Sequence, residues 1–145
     1  MADTFDAGKY GSIVALTFGV ANAVTAKTNT DLAVADASGN TLSAPMPNSG
    51  SVVGVSASAS AAVTAGTVSF APHSASTEFA QVGFPNPGLN STVGTDTSSY
   101  ASIRPGVCTF SAGARLGVSY TSSTDAAPTD TNDYTVTLFV QIDPV

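Results

Sequence analysis

Residues 50–72 read GSVVGVSASASAAVTAGTVSFAP. In an extended chain Val53, Val55, Ala57 and Ala59 fall on one side, and Gly54, Ser56, Ser58 and Ser60 on the other. After a small-residue connection, Val68, Phe70 and Pro72 alternate with Thr67, Ser69 and Ala71. Successive side chains leave a strand on opposite faces, so a period of two with one polar face marks half-buried antiparallel strands. The polar face is Ser, Thr and Gly. It can stay solvated or lie against a neighbouring subunit without burying charge. The stretch therefore predicts scaffold and subunit wall, and places function elsewhere.

The same alternation recurs on both sides of it. In 12–20, Val14, Leu16, Phe18 and Val20 share a face. Leu32 and Val34 mark a short strand closed by the turn cluster 36–40, and Pro45 and Pro47 turn a corner into residue 50. Val107 to Phe110 is a short strand, followed by the turn 111–114. Leu116, Val118 and Tyr120 alternate with Gly117, Ser119 and Thr121, and these two runs supply sheet partners for the opening stretch: 115–121 itself and 134–142. In the latter Val136, Leu138, Val140 and Ile142 point inward, while Phe139 lies on the opposite face. A large aromatic on a nominal outer face predicts a subunit contact or a covering loop.

Two regions break the pattern. Residues 1–11 carry Phe5 and Tyr10 among Asp3, Asp6 and Lys9, and read either as a frayed terminus or as an arm whose aromatics dock on a neighbour. Residues 73–105 read as an irregular insertion with Phe84, Leu89 and Tyr100 among its apolar side chains, the kind of segment that makes partner contacts. The domain proper is then 12–145. No run of apolar residues at helical spacing appears. The prediction is a single-domain, all-β antiparallel sandwich of jelly-roll type with about eight strands. An immunoglobulin-like sandwich lacks its signature in a chain with one Cys and no Trp.

Composition narrows the function. Only 10% of the 145 residues are charged, and Ser and Thr make up about a quarter of the chain. The formal net charge is −6 and the four basic residues, Lys9, Lys27, Arg104 and Arg115, are scattered, which argues against direct nucleic-acid binding. A signal-peptide pattern and a membrane-spanning apolar run are both missing from the sequence, which predicts synthesis in the cytoplasm.

Chemistry has little to work with. His73 is the single histidine, no Gly-x-Ser-x-Gly elbow surrounds a serine, and His73 reads as exposed and inert. Cys108 reads as a small buried apolar residue. One Cys and one His cannot fill a zinc site, and Asp125, Asp130, Asn132 and Asp133 read as Asx turns rather than a calcium loop. Glu78 is the only Glu, so a glycosidase carboxylate pair would be arbitrary. Tyr100 and Tyr120 are the candidate stacking faces for a glycan. The expectation is a non-enzyme with no metal and no cofactor.

Four segments carry a resemblance: PMPNSGSVVGVS at 45–56, TAGTVSF at 64–70, FSAGARLGV at 110–118 and YTVTLFV at 134–140. Together they resemble a motif set of small jelly-roll structural proteins of tailed-bacteriophage virions. Ala114 stands where that set often has an acidic residue, which leaves Arg115 without a local partner. The resemblance implies a subunit, commonly a homotrimer, that decorates the capsid or forms the knob of a head or tail fibre. With no collagen-like or coiled-coil shaft, a compact decoration (cement) protein is favoured. It would sit on the outer capsid surface, made in the host cytoplasm, and stabilise the head by bridging major capsid protein subunits. Phe5, Tyr10, Phe84, Leu89 and Tyr100 are then the expected capsid contacts, and Phe139 the expected subunit contact. The alternative is a receptor- or glycan-binding knob. A secreted trimer of the tumour-necrosis-factor or C1q type shares the architecture but would need a secretory signal.

Overall fold

The structure, a computed structural model, describes residues 11–23, 27–28, 30–34, 44–74, 77–79, 87–90 and 97–144. Twelve strand segments follow one another: β1 (Ser12–Val20), β2 (Thr30–Asp31), β3 (Ala33–Val34), β4 (Ala44–Pro45), β5 (Gly50–Ala59), β6 (Thr67–Ser74), β7 (Thr77–Glu78), β8 (Gly88–Asn90), β9 (Ser98–Ser102), β10 (Thr109–Phe110), β11 (Arg115–Ser122) and β12 (Tyr134–Ile142). They form two antiparallel sheets. The first runs β10-β5-β12-β1-β3, with β9 also on β5. The second runs β2-β11-β6-β7, with β4 also on β11 and β8 also on β6.

Several short segments are pieces of one broken strand. β10 meets Gly50 and Ser51, and β9 meets Gly54 to Ser58, along the same edge of β5. Between them Val52 N–H donates to the Cys108 carbonyl at 2.9 Å, and Ile103 N–H to the Val53 carbonyl at 3.1 Å. β2 and β4 share an edge of β11 in the same way, as β7 and β8 share one of β6. Joined up, the segments make eight columns plus the short β3, four to each sheet. The chain passes from sheet to sheet as a jelly roll does. The fold expected from the sequence is the fold observed.

Between the sheets lies one core. Phe18, Val55, Val136, Leu138 and Val140 come from the first sheet, and Val68, Phe70, Leu116, Val118 and Tyr120 from the second; all are buried. Tyr134 joins the two layers: its ring meets Phe70 edge-on at 5.4 Å between centroids and Tyr120 at 6.2 Å. The edge-to-face contact with Phe70 adds to the stabilisation that burial alone provides.

The alternation in β5 needs one correction. Opposite β12, Leu138 pairs with Val55 and Phe139 with Gly54, but Val140 pairs with Val52. Val53 is the extra residue of a β-bulge, which resets the period by one. Val52 and Val55 are therefore both buried, at 0% and 1% exposure, while Val53 is only half-buried.

Among the described residues of 73–105 lie the end of β6, then β7, β8 and β9. Nearby, Asn132 ties the loop before β12 to the end of β5. Its Oδ1 accepts from Ser60 Oγ at 3.1 Å and from Ala61 N–H at 3.0 Å, and its Nδ2 donates to the Ala61 carbonyl at 3.0 Å. Asn132 is fully buried, so these bonds satisfy an amide that would otherwise be costly to bury.

Candidate interaction surface

The two sheets differ on their outer faces. On the second sheet, the central outward positions of β6 and β11 are covered: Ala71, His73, Gly117 and Ser119 are all buried, while Thr67 and Arg115 at the strand ends are exposed. On the first sheet most outward positions are at least partly exposed, with Ser51 and Gly54 of β5 the buried ones. Register places Ile13, Ala15 and Thr17 of β1 beside Gln141, Phe139 and Thr137 of β12, and those beside Ser51, Gly54 and Ser56 of β5. Tyr100 and Ser102 of β9 complete the row. No outward strand position among the described residues of this sheet is Lys, Arg, Asp or Glu.

Three large side chains stand on that face. Ile13 is 69% exposed, Tyr100 80% and Phe139 38%. Phe139 is the least exposed because its ring lies across Gly54, where a side chain would meet it. Thr17 and Thr137 share a hydroxyl contact of 3.3 Å across β1 and β12, a cross-strand pair of the kind that stiffens a sheet. Beside Tyr100, Ser56, Ser58, Ser98, Thr135 and Thr137 line a shallow open depression of about 270 Å³. This is below the range of enclosed small-molecule pockets, about 300–1,000 Å³.

The residues singled out from the sequence divide as follows. Tyr100 and Phe139, assigned there to a capsid contact and a subunit contact, share one surface. Leu89 is corrected: it is fully buried in the core and cannot reach a partner. Phe5, Tyr10 and Phe84 lie outside the described residues. Ile13 was missed because, as a single outward residue in a strand whose other face is apolar, it is indistinguishable by type from its inward neighbours.

The candidates for chemistry resolve toward structure. His73, expected exposed, is 8% exposed in β6, its ring packed on Gly117 and its backbone opposite Glu78 of β7. Tyr120 is buried and so offers no face to a glycan. Cys108 is fully buried, and that burial pushes its thiol above the ordinary range, away from the reactive thiolate. Burial likewise raises the Tyr134 phenol, against a hydrogen bond with Asn132 that lowers it and with a smaller upward contribution from Tyr120. Asp133 accepts from Asn22 N–H at 2.9 Å, so with Asn132 it holds loops together. Among the described residues no three His, Cys, Asp or Glu side chains gather where a metal ion could sit, and no helix is long and apolar enough to cross a membrane.

No protein-family model matches the chain, and no curated protein does. Solved structures match along almost its whole length. A chain of the cyanophage Pam1 capsid asymmetric unit superposes with a TM-score of 0.54 at 17% identity, over 98% of this chain and 92% of that one. A chain of the acidic stable capsid structure of Helicobacter pylori bacteriophage KHP30 gives 0.51 at 12% identity, over 92% and 90%. At these identities the likeness is one of fold.

Proposed function

We propose that this chain is a structural protein of a phage capsid, a decoration or cement subunit on the outer surface of the assembled head. The observation that carries the reading is the jelly roll shared, nearly end to end, with chains found in two phage capsid structures. The motif resemblance in the four core segments supports the same class. Its role is structural rather than enzymatic.

The mechanism is mechanical. A subunit that binds only the assembled shell, by bridging neighbouring major capsid protein subunits, shifts the equilibrium toward that shell by mass action. Attachment as an oligomer, the homotrimer of the resemblance, strengthens weak single contacts because the later ones form at high effective concentration. Phe5 and Tyr10 of the arm, with Phe84, are the proposed capsid contacts.

Heads lacking the protein, back-loaded with purified full chain, test this. Image reconstruction should place new density on the outer shell, and the temperature of genome release should rise with occupancy. Phe5→Ala with Tyr10→Ala should lower occupancy. Failure to bind heads, or location at a fibre tip, overturns the proposal.

A second reading rests on Tyr100. An exposed aromatic beside a hydroxyl-lined depression is a surface on which a sugar ring can stack, as in a receptor-binding knob. Glycan binding by the isolated protein, lost in Tyr100→Ala, would favour the knob over cement.

A further inference from the structure

We propose that a second copy of this chain packs on the outer face of the β10-β5-β12-β1-β3 sheet, centred on Tyr100, Phe139 and Ile13. This rests on the oligomer of the capsid reading and names the face through which its copies meet; it does not depend on where a particle carries the protein.

Charge selects the partner. The chain carries a formal net charge of −6, so two copies repel over most of their surfaces. They can approach closely only where neither presents charge, and the outward strand positions of this sheet present none. A basic or acidic partner would gain nothing from such a face, since complementary charge is what steers and selects partners of that kind.

Shape and chemistry agree with a like partner. Ile13 and Tyr100 are exposed at 69% and 80%, and large apolar groups gathered on one face mark contact sites. Phe139, flat over Gly54, provides a platform between them. Tyr100 stands at the lip of the depression lined by Ser56, Ser98, Thr135 and Thr137. The face thus holds both a projecting aromatic and a recess whose hydroxyls can bond a phenol. Aromatic anchors in recesses, ringed by polar groups, are the usual centre of a protein interface. The companion sheet has no such face to offer at Ala71, His73 and Ser119, which the chain already covers.

Sedimentation velocity on the full chain over a concentration series is the test. Wild type should be oligomeric and should remain so when salt is raised from about 0.1 to 1 M, because screening acts on charges. Tyr100→Asp and Ile13→Asp should each weaken self-association at least tenfold, since each buries a charge at the contact. Thr124→Asp, on the exposed turn after β11 of the other sheet, should leave it unchanged. Circular dichroism checks the fold, and Tyr100→Ser replaces Tyr100→Asp should the latter not fold. A monomeric wild type, or an oligomer that the Tyr100 and Ile13 variants leave intact, overturns the proposal. Should a monomeric wild type bind heads and Tyr100→Asp not, the face belongs to the capsid partner. Self-association through it is then refuted while the capsid reading stands.

Discussion

The Phe139 ring lies across Gly54: a Cβ built on Gly54 would be 3.3 Å from Phe139 Cδ2 and 3.5 Å from its Cβ. An aromatic laid over a strand glycine covers backbone that the glycine leaves bare. This is why Phe139, outward by register, is only 38% exposed. A similar pairing occurs on the other sheet, where a Cβ on Gly117 would be 2.6 Å from His73 Cε1 and 2.9 Å from Nε2. The two glycines do the same job under different constraints. Phe139 has solvent to move into, and His73, at 8% exposure, does not.

Gly54→Ala should therefore stay within about 0.5 kcal/mol of wild type. The strand gains from losing a glycine, and the ring gives by a few tenths of an ångström. Gly117→Ala should cost about 1–3 kcal/mol, the range for overpacking a filled site. Urea unfolding midpoints of the two variants decide it. Equal costs would mean that His73 moves as freely as Phe139.

How much of this could be read in the sequence depends on distance along the chain. The inward set of β12 was legible because every second residue from Tyr134 to Val140 is apolar and its register with β1 is unbroken. The β5 bulge was not legible, because Val52 and Val53 are the same residue and only the partner strand shows which one turns inward. His73 appeared exposed because the glycine that receives its ring lies on another strand, far along the chain. Leu89, next to a Pro-Asn-Pro-Gly loop, looked like surface until β8 paired with β6 and carried it into the core. The candidate surface was half legible. Phe139 stood out by parity, but β5 had to be interposed between β12 and β9 before Phe139 and Tyr100 could share a face.

The bulge makes a test from two identical neighbours. Val52→Ala removes two fully buried methyl groups and should cost about 2 kcal/mol with the cavity they leave. Val53→Ala, half-buried on the bulge, should cost less than about 1 kcal/mol. The simple alternation written in the sequence demands the opposite order. Thermal melts of both variants under one buffer distinguish the two registers.

Cys108 should report global unfolding. Its side chain is fully buried, and burial also holds the thiol protonated, so both access and reactivity are suppressed in the native state. Labelling by a thiol reagent should follow the fraction unfolded across a urea titration and match the circular-dichroism curve. Labelling in native buffer at the rate of a free thiol would show that residues 107–110 open locally.

Tyr134 ties stability to alkaline pH. Burial raises its phenol above the ordinary value of about 10, so the unfolded chain ionises before the folded one does. Below about pH 10 both states hold the proton and stability is intact; as pH rises through the folded-state value, the unfolded state gains by losing its proton and stability falls. Cys108 acts with the same sign from about 8.5, so the comparison belongs in a Cys108→Ala background. There, unfolding midpoints between about pH 9 and 11 should fall more steeply with Tyr134 than with Tyr134→Phe. Parallel profiles would mean that the phenol ionises equally in both states, and that its place between Phe70 and Tyr120 is wet rather than buried.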